Sequence, residues 1–121
     1  MKIEHFEDIE AWKESRILVK EIYSVFNQIK DFSFRDQIQR AAVSIMTNIA
    51  EGFDRGSNRA FIQFLVIARG SASEVRSLLY TGADIGYIDK TTFAPLHERC
   101  IKLTTLINGF IRYLRNSDRK C

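Results

Sequence analysis

Hydrophobic residues recur along this chain in four separate stretches, at alternating spacings of four and three positions in the first, third and fourth and on one helical face in the second. Such spacing places side chains on one stripe of an α-helix that packs nearly parallel to its neighbours. The pattern predicts helices over residues 6–29, 34–53, 59–85 and 92–115, and a frayed tail over 116–121. The four stripes are Ala11, Ser15, Leu18, Ile22, Val25 and Ile29; Ile38, Ala41, Ala42, Ile45, Ile49 and Gly52; Phe61, Leu65, Ala68, Ala72, Val75 and Leu79; and Leu96, Cys100, Leu103, Ile107, Phe110 and Leu114.

Short polar connections between these helices predict an all-α fold, an antiparallel up-down-up-down four-helix bundle formed by residues 1–121 as a single domain. The connections also carry helix-start signals. A proline is best tolerated in the first turn of a helix, so Pro95 indicates a start close before it. The predicted N-caps are Ser33 for the second helix (with Asp36 at N3), Ser57 or Asn58 for the third, and Thr92 for the fourth.

The second helix has an unusually wide apolar surface. Val43, Met46, Ala50 and Phe53 lie beside its core stripe and widen the apolar arc to roughly 200°, where a helix that lines one core needs little more than ~100°. We therefore expect it to bury one face inside its subunit and another against a second molecule. In the third helix Gly70 costs about 1 kcal/mol relative to alanine, which predicts a close helix approach at that point.

A polar ridge runs beside the wide apolar arc, formed by Arg40, Ser44, Asn48 and Glu51, with Glu74 on the third helix. These side chains have two interpretations. In the first, they form a buried or interfacial network of hydrogen bonds and ion pairs that sets helix register, since buried charges persist only when they are paired. In the second, they form a ligand-binding or catalytic cluster. An enzyme that uses Glu51 together with Asn48 requires a solvent-open pocket at the ridge.

The charge distribution gives a second candidate site. The chain has 121 residues and a formal net charge of +3, which is mildly basic. Antiparallel helices bring six basic residues to one end of the bundle, where they can contact phosphates. Alternatively, they complement a helix dipole and are neutralised by Glu4, Glu7, Asp8, Glu10 and Glu14 at the same end. The six are Arg55, Arg59, Arg112, Arg115, Arg119 and Lys120.

Signatures of catalysis and of cofactors are missing from the sequence. It contains no Glu-x-x-His, no Cys-x-x-Cys and no glycine-rich phosphate loop, so we expect no metal, no cofactor and no catalytic residue. His5 and His97 lie near opposite ends of the bundle, and Cys100 belongs to a core stripe. Cys100 and Cys121 form no disulfide framework, and neither an export signal nor a membrane span is visible, so we expect a cytoplasmic protein.

Four segments together resemble a known bacterial family. They are FEDIEAWKESRILVKEIY (6–23), RAAVSIMTNIAEG (40–52), FIQFLVIARGSASE (61–74) and ADIGYI (83–88). The chain resembles the four-helix-bundle proteins encoded in 23S ribosomal RNA intervening sequences. It is also similar to the accessory variability determinant of diversity-generating retroelements, a pentamer that binds a reverse transcriptase and nucleic acid.

The resemblance implies a homopentamer of bundles with no established enzymatic activity. Arg40, Asn48, Glu51, Gly70, Ser71 and Glu74 match the motif, but the family assigns them no chemical role. We interpret the chain as a non-enzymatic oligomer that binds RNA or DNA electrostatically through the basic end. The alternative is a protein-interaction scaffold, or an accessory subunit of a partner such as a reverse transcriptase, without nucleic-acid contact.

Overall fold

The computed structural model describes residues 3–117 and contains four long helices. A short 3-10 helix, Phe6–Asp8, precedes α1 (Glu10–Phe26), α2 (Phe32–Asp54), α3 (Asn58–Asp84) and α4 (Lys90–Arg115). Within residues 3–117 there is no strand. The helices start and end within a few residues of the predicted positions. The largest differences are at α1, which begins four residues later and ends three residues earlier than predicted.

Each helix packs against the next one in the chain, and α4 returns to pack against α1. The start of α3 lies beside the end of α4, because the Asn58 side-chain amide donates a hydrogen bond to the backbone carbonyl of Leu114 (3.3 Å). At the opposite end Tyr80 of α3 contacts His97 of α4. Consecutive helices thus run in opposite directions, which confirms the antiparallel four-helix bundle.

The core contains nearly all the stripe positions, but two of them shift near helix ends. Phe26 is buried in place of Val25, and Ile111 is buried in place of Phe110. A stripe that repeats every seven residues drifts by about 20° per heptad on a straight α-helix, so the next residue comes to face the core. Ile29 lies beyond the end of α1 and is only partly buried.

The helices α2 and α3 approach each other closely at Gly52. A Cβ atom built on Gly52 would lie 2.6 Å from Phe64 Cβ and 2.9 Å from Phe61 Cδ1. Phe61 also makes edge-on ring contacts with Phe53 of α2 and Phe110 of α4, at centroid distances of 6.0 and 5.1 Å. The missing side chain of Gly52 therefore allows aromatic residues of three helices to pack at this end of the bundle.

The prediction that Gly70 marks a close approach is wrong within this subunit. Gly70 is exposed, and a Cβ atom built there meets no atom within 4 Å. Gly70 lies on the outer face of α3, whereas Ala68 and Ala72 face the core. The α2–α3 contact is close at Gly52 instead.

Aspartates, rather than the predicted Ser33 and Thr92, start α2 and α4. The Asp31 carboxylate accepts a hydrogen bond from Phe34 N (3.2 Å), and the Asp89 carboxylate accepts one from Thr92 N (2.9 Å). These caps start the helices two or more residues early and place Pro95 in the second turn of α4. Pro95 is exposed, so water can hydrogen-bond the Thr91 carbonyl that loses its helical partner. Ser57 caps α3, as one of the two alternatives predicted.

The last turn of α4 extends slightly into the predicted frayed tail. Asn116 N donates to Arg112 O at 3.2 Å, and Ser117 N donates to Leu114 O at 3.3 Å. Residues 118–121 of the predicted tail lie outside the described residues.

We predict opposite stability effects for alanine at the two glycines. Gly52→Ala places a Cβ atom against the rigidly held Cβ of Phe64, and we expect it to lower the free energy of unfolding by about 1–3 kcal/mol. Gly70→Ala, the matched control, fills open space on a helix and should raise it by about 0.5–1 kcal/mol. Urea denaturation measures both, and a Gly52→Ala variant as stable as the wild type would contradict the packing described for α2 and α3.

We predict that the Asp89 cap makes stability pH-dependent. Hydrogen bonds from Thr92 N and from the Thr91 hydroxyl lower the pKa of Asp89 below its ordinary value. Its stabilising contribution is therefore complete above the unfolded-state pKa of about 3.9 and disappears as pH falls through the lower folded-state value.

Asp89→Ala should lower Tm at about pH 7, and its difference from the wild type should shrink below about pH 4. Asp89→Asn is the control, because asparagine caps helices without titrating in this range. Thermal melts recorded by circular dichroism across this pH range measure the effect. A difference between wild type and Asp89→Ala that is independent of pH would contradict it.

Candidate functional site

The structure brings three of the six predicted basic residues to the same end of the bundle. Arg59 follows Asn58, whose side chain bonds to Leu114 O, and Arg115 follows Leu114, so the first turn of α3 meets the last turn of α4. Arg112 is one turn earlier on α4. Arg59, Arg112 and Arg115 are all exposed, and within residues 3–117 none of the three has a carboxylate partner within ion-pair distance.

Arg55 differs from these three arginines because α2 and α3 already hold its side chain. Its guanidinium donates to Glu51 at 2.8 Å and lies over the Phe64 ring, 4.8 Å from the centroid. Its charge is therefore balanced locally, although the pair is exposed and can rearrange. The remaining two members of the predicted patch, Arg119 and Lys120, lie outside the described residues.

Of the five acidic residues that the alternative interpretation assigns to this end, Glu14 is engaged elsewhere. Glu14 and Glu21 of α1 form an ion-pair cluster with Arg99 and Lys102 of α4, with N–O distances of 2.8 Å for Arg99–Glu14, 2.7 Å for Arg99–Glu21 and 3.2 Å for Lys102–Glu14. Burial alone would lower the pKa of Arg99, but the hydrogen bonds and charges of Glu21 and Glu14 outweigh it and raise that pKa. Arg99 therefore stays charged and paired.

Sequence reasoning missed this ion-pair cluster, and its signal is visible in the spacing. Glu14 and Glu21 are seven positions apart on α1, and Arg99 and Lys102 are three apart on α4, so each pair occupies one helix face. The sequence does not show how α1 and α4 are rotated about their axes, and this rotation turns the two faces toward each other.

The polar ridge divides into separate groups of side chains. Ser44 and Ser71 are 2.9 Å apart across the α2–α3 contact, and the Asn48 amide donates to Ser44 O (2.8 Å) and Oγ (3.0 Å). Glu51 pairs with Arg55, and Glu74 accepts a hydrogen bond from Gln37 at 3.4 Å. The polar ridge is thus divided into short contacts, some along α2 and some between α2 and α3.

A solvent-open cleft of about 500 Å³ lies near the start of this ridge. Arg40 and Glu74 line it, together with Ser33, Asp36, Gln37 and Ala41. Glu51 and Asn48, the pair required by the enzyme interpretation, do not line the cleft, and each makes its hydrogen bonds elsewhere. The geometry therefore does not bring Glu51 and Asn48 together as a catalytic pair.

Other reactive groups are held in structural environments. Cys100 is fully buried, and burial raises the pKa of its thiol to about 12, which leaves almost no reactive thiolate. Among residues 3–117 no group of three His, Cys, Asp or Glu side chains is placed to hold a metal ion. In the same part of the chain, no helix combines the length and the hydrophobicity that crossing a membrane requires.

Comparison with known proteins places this bundle among related ones. A crystal structure of a protein of unknown function from the S23 ribosomal protein family of Bacteroides thetaiotaomicron is similar, with a TM-score of 0.79 and 25% sequence identity. The similarity covers 84% of this chain and 98% of that one. Comparison with curated proteins gave no match.

The family model of the 23S rRNA-intervening sequence protein matches residues 7–109. This range contains most of all four helices, including the Gly52 contact and the ion-pair cluster between α1 and α4. The chain therefore belongs to the 23S rRNA-intervening sequence protein family.

Proposed function

We propose that this protein is a non-enzymatic homo-oligomer, a pentamer, that binds RNA or DNA electrostatically through the basic end of the bundle. The observation that supports binding is the set of three exposed arginines, Arg59, Arg112 and Arg115, where α3 begins and α4 ends. Arginines that have no carboxylate within ion-pair distance attract phosphates and release counterions from the nucleic acid on binding.

Charge separation within the bundle supports the same proposal. The buried side of α1 places its carboxylates, Glu14 and Glu21, against Arg99 and Lys102, far along α4 from Arg115. The acidic residues at that contact are therefore occupied and do not offset the three exposed arginines. The field at the basic end acts on phosphates over about 8–10 Å at moderate salt.

The proposed self-association is supported by apolar surface that one subunit leaves uncovered. Val43, Met46 and Ala50, which widen the apolar arc of α2, are only partly buried, whereas Ile45 and Ile49 on its core stripe are fully buried. An apolar surface of this kind is covered when the same patch recurs around a closed ring of subunits. The choice of five subunits rests on the resemblance to the pentameric accessory variability determinant.

We predict that removing the three arginines weakens nucleic-acid binding and makes it less dependent on salt. The variant combines Arg59→Gln, Arg112→Gln and Arg115→Gln, and should bind a fluorescent RNA or DNA fragment at least about tenfold more weakly at about 50 mM salt. The slope of log K against log salt should become shallower by about 2, for three lost phosphate contacts. Fluorescence anisotropy at several salt concentrations measures both quantities.

The control combines Lys20→Gln, Lys30→Gln and Lys90→Gln, which removes the same charge from exposed positions on α1, the following loop and the start of α4. We expect it to keep an affinity close to that of the wild type. Equal losses in the two triple variants would show that net charge alone drives binding. Unchanged affinity in the arginine variant would contradict the basic end as the binding surface.

The alternative function, a protein-interaction scaffold or accessory subunit, is favoured by one apolar cavity. Ile3, Ile9, Leu106, Phe110 and Tyr113 line about 490 Å³ between the N-terminal segment and α4. A pocket of this size and composition accommodates a large apolar side chain of a partner. This function predicts no affinity for nucleic acid at low salt and a defined complex with one host protein, such as a reverse transcriptase, when the chain is used as bait.

A further inference from the structure

Partly exposed side chains of α3 and α4 meet along the outer side of the contact between these two helices, a surface that we call the α3/α4 groove. The α3/α4 groove comprises Arg69, Arg76 and Tyr80 on α3 and Phe93, His97 and Asn108 on α4. Arg69 donates to the Asn108 side-chain oxygen at 2.8 Å, and Tyr80 Oη lies 3.1 Å from His97 Nε2. Both contacts cross from one helix to the other, so they show that the residues face the same groove.

Three rings form an aromatic cluster at one end of the groove. Tyr80 lies 5.0 Å from Phe93 and 5.4 Å from His97 between ring centroids, and Phe93 and His97 stack at 5.2 Å with an interplanar angle of 20°. Tyr80 is 50% exposed, and Phe93 and His97 are partly exposed. The cluster therefore presents aromatic surface to solvent, while Phe93 also packs against the hydrophobic core.

Arginines occupy the groove between the aromatic cluster and the basic end. Arg76 is one turn before Tyr80, and it is close enough to Cys100 of α4 for its charge to act on that thiol. Arg69 lies two turns before Arg76, and both arginines are partly buried. Within residues 3–117 neither arginine has a carboxylate within ion-pair distance. The α1–α4 contact is different, because carboxylates there neutralise Arg99 and Lys102.

The basic and aromatic residues of α3, from Arg59 to Tyr80, extend over a length that fits one strand of nucleic acid. Arg59 and Tyr80 are separated by twenty-one positions of one helix, which corresponds to about 30 Å at 1.5 Å per residue. A strand carries about one phosphate per 3.4 Å when its bases are stacked, so this stretch spans roughly nine nucleotides. That length lies within the range of about 4–16 nucleotides for known single-strand sites.

We propose that the α3/α4 groove binds single-stranded nucleic acid, with Arg69 and Arg76 holding the phosphate backbone and a base stacking on the cluster of Tyr80, Phe93 and His97. This inference rests on the proposed function and narrows its ligand from any nucleic acid to a single strand. Bases in a duplex are already stacked on their neighbours, whereas an unpaired base has a free face for an aromatic side chain. The basic end of the bundle extends the same path for the backbone.

The test compares the intact protein with Tyr80→Ala, using a fluorescein-labelled single-stranded RNA of about twelve nucleotides and a duplex of equal length. We expect Tyr80→Ala to bind the single strand about tenfold or more weakly, with an unchanged salt slope, because the loss is of stacking and not of charge. Binding of the duplex should not change. Tyr80→Phe keeps the ring and loses the hydroxyl contact to His97, and it should bind the single strand like the wild type.

Tyr23→Ala on α1 is the matched control, because Tyr23 is 44% exposed and lies outside the groove. It should leave the affinity for the single strand unchanged. A second measurement replaces the bases of the RNA by abasic sites. Removing the bases should weaken binding to the wild type and have little effect on Tyr80→Ala, because the two changes remove the same contact.

The possible failures are distinguishable. If the wild type binds no nucleic acid at low salt, both the proposed function and this inference are overturned. If it binds with the expected salt dependence but Tyr80→Ala and Tyr23→Ala behave alike, the groove inference is overturned while the basic end keeps its assigned role. Thermal melts of Tyr80→Ala and Tyr80→Phe show whether a loss of binding comes from a loss of folding. A folded Tyr80→Ala variant with wild-type affinity for the single strand would contradict the stacking site.

Discussion

The contact of α2 with α3 at Gly52 determines how one end of the bundle is built. Because Gly52 has no side chain, Phe61 and Phe64 approach the α2 backbone closely, and the Phe61 ring reaches both Phe53 and Phe110. This packing brings the start of α3 against the end of α4, where Asn58 bonds to Leu114 O. The exposed arginines at this end lie on the first turn of α3 and the last turns of α4, and this buried packing holds those turns together.

Two helix contacts that involve α4 have opposite electrostatic character. Toward α1, Arg99 and Lys102 are held by Glu14 and Glu21, which fixes the register of the two helices and leaves little free charge. At the contact with α3, Arg69 of α3 pairs with the neutral Asn108 amide of α4. Carboxylates thus neutralise the cations at the α1–α4 contact but not Arg69 at the α3–α4 contact, and the proposed groove site is based on this difference.

The bundle could be predicted from the sequence because its core stripes repeat at a helical spacing over four long stretches. Ile45, Leu65 and Leu103, for example, are fully buried as their stripes required. Helix starts were harder to predict, because Asp31, Ser33 and Thr92 are all competent caps by residue type and only the backbone geometry selects among them. Gly70 was misinterpreted for a similar reason, because a glycine in the sequence does not show whether another helix packs against it.

Candidate sites were less predictable than the core because they depend on how helices are rotated relative to each other. The ridge residues Ser44, Asn48 and Glu51 share one side of α2, yet Ser44 contacts another helix, through Ser71 of α3, while Asn48 bonds to Ser44 and Glu51 to Arg55. Arg99 of α4 is paired with Glu14 and Glu21 of α1, a contact that depends on how these two helices face each other. The cluster of Tyr80, Phe93 and His97 joins residues from two helices whose spacing along the chain indicates no common site.

We propose that an oligomer of this bundle binds nucleic acid through its charges. Light scattering of the purified protein, alone and with a short RNA at low and high salt, tests self-association and binding in one experiment. We expect the mass of five subunits, an added mass of RNA at low salt, and release of the RNA at high salt. A monomer whose mass does not change with RNA at any salt concentration would contradict it.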